Sequence, residues 1–124
     1  MCIRDRCSMD KGTITIRYLQ QYLKKKRDIS TDCSSEAIYI KLVEEVGELA
    51  RAVIRGGRHA TGEEDIKNTL EEEVFDVLYY LLAFANANQI DLETWIPIKE
   101  TFNNRRYPSG MAFDPQDESV YAEE

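Results

Sequence analysis

The chain has 124 residues, 43% of them hydrophobic, which is enough for one core and too few for two ordinary domains. Its net charge of -7 disfavours a nucleic-acid polymer or an anionic membrane surface as partner, but a divalent cation held by carboxylates would locally reverse that sign. No apolar run approaches the roughly 20 residues of a bilayer crossing, and three sparse cysteines (Cys2, Cys7, Cys33) without zinc-type spacing point to a reducing cytoplasm.

Residues 1–8, MCIRDRCS, lack the apolar segment of a secretory signal and carry no helical or strand period. They read as a non-native leader, with Met9 as the start. From Ile14 to about Lys26, Ile16, Leu19 and Leu23 recur at helical spacing. Thr13 or Thr15 can cap this helix, and Lys24 to Arg27 form a solvated last turn suited to its dipole. A polar junction, Asp32 to Ser35, introduces a second helix that runs to about Arg55 and stops at Gly56-Gly57. On it Ile38, Leu42, Val46, Leu49 and Val53 form an apolar stripe, widened by Val43, Ala50 and Ile54. Glu44, Glu45 and Glu48 share another arc, with Glu45 at the border of the stripe.

Thr61, with Glu64 three residues later, carries a capping-box signature that opens a third helix reaching about Asn88. Ile66, Leu70, Val77 and Leu81 form one face of it, and Thr69, Glu73, Asp76 and Tyr80 a second. Its C-terminal half is apolar almost all round and must be buried all round, which predicts an oligomer. Asp91 can cap a fourth helix from Leu92, which Pro97 is expected to kink or restart. Lys99, Asn103 and Arg106 then share one side. From Pro108 the Gly, Pro and acidic residues predict an extended tail over 109–124. No strand or internal repeat is evident, so the fold class is all-α, in one domain over residues 9–108.

The chemistry concentrates in two short motifs. Glu45 and Glu48 are spaced E-x-x-E, and Glu73 and Asp76 are spaced E-x-x-D. Asp76 lies among Val74, Phe75, Val77 and Leu78, where a lone carboxylate is costly to bury without a cation or hydrogen-bond donors. On paired helices the two motifs would direct four carboxylates into one cleft, a donor set suited to Mg²⁺, which takes oxygen ligands and leaves positions for water and substrate phosphates. A di-iron or di-manganese bundle requires Glu-x-x-His pairs, and the sole histidine, His59, falls in a loop. Glu63, Glu64, Asp65, Glu71 and Glu72 read as solvated acids.

With these residues assembled, the chain resembles the MazG-like all-α nucleotide pyrophosphohydrolases, and also the dCTP pyrophosphatases. The resemblance rests on KLVEEVGELA (Lys41 to Ala50), LEEEVFDVLYYLLAFAN (Leu70 to Asn86), the IDLE of Ile90 to Glu93 and the closing NNRRYP of Asn103 to Pro108. The family pattern is EExxE followed by ExxD, here separated by about two dozen residues. It implies a four-helix unit assembling as a homodimer or a dimer of dimers (a homotetramer). It implies Mg²⁺-dependent hydrolysis of a nucleoside triphosphate to the monophosphate and pyrophosphate, with Mn²⁺ as a substitute cation. Carried over, the metal ligands are Glu45, Glu48, Glu73 and Asp76. Glu44 and Glu45 are the catalytic acids, with Glu44 able to bind a second metal, orient the water or act as base. Tyr80, Lys99, Asn103, Arg106 and Tyr107 contact substrate. The loop between Gly56 and Thr61 has no tryptophan, which leaves base preference open. A phosphoribosyl-ATP pyrophosphohydrolase fits less well, because Tyr79-Tyr80 stands where a Tyr-His pair is expected. A catalytically silent helical adaptor with the same fold is the alternative from another class.

Overall fold

The structure, a computed structural model, describes residues 14–26 and 34–122. The expectations for residues 1–8, Met9, Thr13, Arg27, Asp32 and the three cysteines lie outside the described residues. Among the described residues the regular structure is all helical: α1 (Ile16–Lys26), α2 (Ser35–Ile54), α3 (Leu70–Ala87) and α4 (Leu92–Arg106), with 3-10 turns at Glu63–Asp65 and Glu118–Tyr121. None of these helices is long and apolar enough to cross a membrane. The chain divides into two compact units, one through Ile90 and the other from Asp91.

In the first unit the helix starts follow side-chain capping. Thr15 Oγ1 accepts from the Tyr18 N–H at 3.0 Å, and Ser34 Oγ accepts from the Ala37 N–H at 3.0 Å, each filling one of the free amides of a first turn. α2 ends where Gly56 and Gly57 enter the left-handed region, at φ 109° and 66°. Their N–H groups return to Val53 and Ala52 carbonyls at 3.1 and 2.9 Å, which closes the last turn. At Gly57 a side chain would also meet Leu70, since a Cβ there lies 3.3 Å from Leu70 Cδ1.

α2 and α3 pack antiparallel. Ser35 at the start of α2 meets Asn88 just beyond the end of α3 at 2.9 Å, Tyr39 meets Phe84 at 5.8 Å between ring centres, and Gly57 meets Leu70. α1 also lies against α3, through a reciprocal polar clamp. The buried Gln20 donates from Nε2 to Asn86 Oδ1 and to the Ile90 carbonyl, both at 2.9 Å, and Asn86 Nδ2 donates back to the Gln20 carbonyl at 3.0 Å. Leu23, one turn on, is buried beside it.

Two expectations are corrected. The third helix does not begin at Thr61: the chain makes a 3-10 turn at Glu63–Asp65, Asn68 takes φ 66°, and Thr69 caps a helix that starts only at Leu70. Asn68 tolerates that left-handed geometry and interrupts the hydrophobic period read from sequence. The apolar stripes are also rotated. On α2 the inward residues are Ile38, Leu42, Glu45, Leu49 and Ala52, whereas Val46 and Val53 are about half exposed. On α3, Thr69, Glu73 and Ala83 are buried and Asp76 and Tyr80 half-buried, whereas Ile66 and Leu81 are 40% and 45% exposed. The polar stripe of α3 therefore faces inward. Leu82, fully buried, anchors the apolar end of this interface, and burial of such a side chain contributes about 1.5–3 kcal/mol.

In the second unit Asp91 caps α4, accepting from the Glu93 N–H at 3.1 Å and the Thr94 hydroxyl at 3.2 Å. The helix runs through Pro97 as one element, without the expected restart. Pro97 falls in the second turn, where its missing N–H removes a single intrahelical bond. After Pro108 the backbone is irregular except for the turn at Glu118–Tyr121, and Asn104 Nδ2 ties it back to the Met111 carbonyl at 3.1 Å.

The clamp gives a stability test. Replacing Gln20 by leucine leaves Asn86 Oδ1 and the Ile90 carbonyl without this donor, at a cost of about 1–3 kcal/mol for a buried group. Urea unfolding of Gln20→Leu is expected to show a lower midpoint with unchanged slope; an unchanged midpoint would show that the clamp contributes nothing.

Candidate metal centre

The inward rotation of both stripes brings the acids together. One carboxylate oxygen each from Glu45 on α2 and from Glu73 and Asp76 on α3 lies within 4.8 Å of the other two. Glu73 is 7% exposed, and its Oε2 is buried without a hydrogen-bond partner. Burial pushes the Glu73 carboxyl up from its ordinary value, with Glu72, Asp76, Glu45 and Glu48 adding to the shift. Burial is also the first cause of the rise at Glu45, followed by the Asp76 charge. At Asp76 burial again leads, then Glu72, opposed by Lys67. Three desolvated, mutually repelling acids and one orphan oxygen make a hard-oxygen donor set, and this fits a divalent cation.

The remaining acids of the motif stand at its edge. Glu48 lies one turn beyond Glu45, half-exposed, with Oε1 3.7 Å from Arg51 Nε. Its negative charge still acts on Glu45 and Glu73. Glu44 turns to Lys41, which donates to it at 3.2 Å and is held above its usual pKa by that carboxylate. Tyr80, one turn past Asp76, packs edge-on against Tyr79 at 5.1 Å, with Lys41 Nζ 5.9 Å from its ring centre. In the second unit, Lys99 Nζ and the Arg106 guanidinium flank Phe102 at 4.7 and 5.7 Å, and Arg106 lies 5.4 Å from the Tyr107 ring. Asn103 donates to Glu100 at 3.1 Å.

The acids read as solvated from sequence fasten the α2–α3 loop. Asp65 accepts from the Thr61 N–H at 2.9 Å, the Thr61 hydroxyl at 2.9 Å and the Gly62 N–H at 3.0 Å, and these bonds lower its pKa. Glu71 accepts from the Ala60 N–H at 2.8 Å and faces His59 Nδ1 at 2.7 Å. His59, then the Ala60 amide, lowers the Glu71 carboxyl to about 2. Glu72 accepts from the Asn68 N–H at 2.7 Å. Arg58 donates to the Asp65 carbonyl at 3.1 Å and to the Lys67 carbonyl. The loop bounds a cleft of about 260 Å³ lined by Glu48, Arg51, Ala52, Arg55, Arg58, Asn68 and Glu73. Motif reading leaves its arginines unassigned; the signal for them is the helical spacing of Arg51 and Arg55 after Glu48.

The sequence profile of the MazG nucleotide pyrophosphohydrolase domain matches residues 33–108, which include α2, α3, α4 and the acids of the cluster and the loop. The chain belongs to the MazG family. Human dCTP pyrophosphatase 1 is 33% identical to this MazG chain over 101 residues, covering 78% of this chain and 59% of its own length. The Bacillus subtilis (strain 168) uncharacterised protein YpjD is 44% identical over 62 residues, covering 46% of this chain and 52% of its own. The chain thus spans just over half the length of these curated relatives. Crystal structures of iMazG from Vibrio DAT 722 share the fold, with a TM-score of 0.65 at 33% identity, covering 77% of this chain and 99% of the other. A second iMazG structure gives 0.63, also at 33% identity, over 73% and 99%.

The cluster makes a thermodynamic prediction for this MazG domain. In metal-free buffer Glu73→Gln is expected to melt above the wild type, because it removes one buried charge from a repelling trio. Mg²⁺ or Mn²⁺ at about a hundred times its Kd should stabilise the wild type by about 2.7 kcal/mol and Glu73→Gln far less. Calorimetry in chelator and in metal checks both; equal metal-induced shifts in the two proteins would remove Glu73 from the site.

Proposed function

We propose that this MazG protein hydrolyses a nucleoside triphosphate to the monophosphate and pyrophosphate, with Mg²⁺ held by Glu45, Glu48, Glu73 and Asp76. One observation carries the reading: in a chain of this family, three acids from two helices converge within 4.8 Å, and one of their oxygens is buried without a partner. When bound, the cation neutralises phosphate oxygens and acidifies a bound water. Glu45, Glu73 and Asp76 would hold it from helical backbone, and Glu48, whose contact with Arg51 is loose, would complete the set. Mn²⁺ meets the same oxygen donors and substitutes.

Glu44 is the acid left outside that set. It orients the attacking water and takes its proton, with Glu45 shared between cation and water. The bond broken joins the α- and β-phosphates, and the water oxygen ends on one of the two products. Tyr80 borders the sugar, and Lys99, Asn103, Arg106 and Tyr107 contact phosphate. The human relative's name makes dCTP the first substrate to try. Cytoplasmic residence suits a chain with three sparse cysteines.

A panel of ordinary and oxidised ribo- and deoxyribonucleoside triphosphates with Mg²⁺, read by pyrophosphate release, tests the activity. Asp76→Asn and Glu48→Gln are expected to lose turnover by 100-fold or more, an order-of-magnitude expectation for displaced metal charge, while keeping the native circular dichroism. Glu44→Gln should lose turnover but keep the metal-induced rise in Tm. Full activity in Asp76→Asn and Glu48→Gln would sink the site.

We also propose a homodimer or homotetramer formed through the outer faces of α2 and α3. Val46, Val74, Phe75 and Leu81 are each about half exposed there, a run of apolar surface that water disfavours. Light scattering on Val74→Glu/Phe75→Lys should report a smaller species than the wild type; a monomeric wild type would end this assignment.

A further inference from the structure

We infer that Arg51, Arg55 and Arg58 form an anion site that holds the pyrophosphate end of the substrate, the two phosphates that leave together. This rests on the pyrophosphohydrolase reading and adds residues to it. Arg51, Arg55 and Arg58 line one cleft with Glu48 and Glu73, so its wall is continuous with the carboxylate cluster. Positive charge there is poorly compensated. Arg51 has only a 3.7 Å contact with a half-exposed Glu48. Arg58 spends its donors on two neutral carbonyls, which fix the side chain without cancelling its charge. No ion pair or hydrogen bond of the Arg55 side chain is found among the described residues.

Three arginines outnumber the two acids on this wall, and an anion that joins them lowers their mutual repulsion. A triphosphate carries more negative charge than the cation at the acids removes, and guanidinium forks match phosphate oxygens in pairs. Asn68 adds a neutral amide donor on the same wall. The cleft volume of about 260 Å³ accommodates a diphosphate group. Arg58, already clamped by the loop, loses little freedom on binding. Arg51 in the last turn of α2 and Arg55 at its C-cap follow Glu48 by three and seven residues, so an anion they grip lies beside the proposed metal-binding acids.

Calorimetric titration of inorganic pyrophosphate in Mg²⁺, with parallel kinetics, tests the site on the wild type and on Arg51→Gln/Arg55→Gln. The double variant should bind pyrophosphate about tenfold or more weakly and show a similar rise in KM, as expected for lost charge-assisted contacts. Its kcat should fall as well, because negative charge grows on the leaving pyrophosphate in the transition state, and its metal-induced rise in Tm should be no smaller than the wild type's. Arg55→Lys, keeping charge without the fork, should fall between. Equal pyrophosphate affinity in wild type and double variant overturns the inference even where hydrolysis is confirmed. So does a change in base preference with pyrophosphate affinity intact, which would make the cleft a platform for the base. Should the wild type hydrolyse no nucleoside triphosphate, the proposed activity fails, yet pyrophosphate binding that depends on Arg51 and Arg55 still supports the anion site.

Discussion

The structure depends on the mutual repulsion of three carboxylates held on the inward faces of two antiparallel helices. At 4.8 Å, each ionised pair costs on the order of 3 kcal/mol at an effective dielectric of about 20. No exposed ion pair offsets that, since such pairs contribute about 0–1 kcal/mol each. The α2–α3 interface is therefore weakest beside its loop and must be secured on both sides of the acids. The apolar contribution comes from Leu82, Ala83 and Ala85 towards the C-terminal end of α3, where Ile38 of α2 is also buried. The acids lie towards the loop end, on the middle of α2 and the first two turns of α3.

Polar closures secure each end. Beyond the apolar end, Gln20, Asn86 and the Ile90 carbonyl exchange hydrogen bonds in a buried triangle, and Asn88 reaches Ser35. At the acidic end, the α2–α3 loop is tied down by carboxylates and by Arg58 rather than by packing. Pulling Asp65, Glu71 and Glu72 into loop hydrogen bonds has a second effect. It fixes where these charges stand, and the Glu72 charge still adds to the rise at Glu73 and Asp76. Division of labour among neighbouring acids follows: Glu71 and Glu72 hold the loop, while Glu73 faces inward.

How much of this was legible in the sequence follows from what each signal depends on. Helix existence was readable from periodicity and caps, because Ser34, Asp91 and Gly56-Gly57 act through local backbone chemistry. The stripe Thr69, Glu73, Asp76, Tyr80 was readable too, since spacing on one helix is fixed. Which stripe faces inward was not. Periodicity alone assigned the inward face of α2 to Val46 and Val53, but the structure turns Glu45 and Ala52 inward and leaves the valines half exposed. The apolar residues on the outer faces are as hydrophobic as core residues, so one sequence cannot tell an inner seam from surface left for another contact. The start of α3 was missed for a different reason: the pattern carries straight through Ile66, and only the left-handed Asn68 breaks it. Arg51 and Arg55 were passed over because arginines on an exposed helix end have an ordinary solvated explanation.

The charge layout resolves an apparent conflict between an acidic chain and an anionic substrate. A net charge of -7 opposes a free polyphosphate at long range. At short range the field depends on two fixed features with opposite sign, the acid cluster and the arginine cleft, which share Glu48 and Glu73 as a border. Arginines stay charged at any physiological pH, whereas the acids present negative charge until a cation is bound. The guanidiniums alone therefore offer a polyphosphate an approach flanked by repelling carboxylates. On the proposed reading, a bound cation would reverse the sign at this border, and both features would then attract the same ligand. Substrate affinity and cation affinity then become linked quantities, each raising the other by the same factor. On the proposed reading, a cation that relieves the repulsion among the acids also favours the phosphates that meet the arginines.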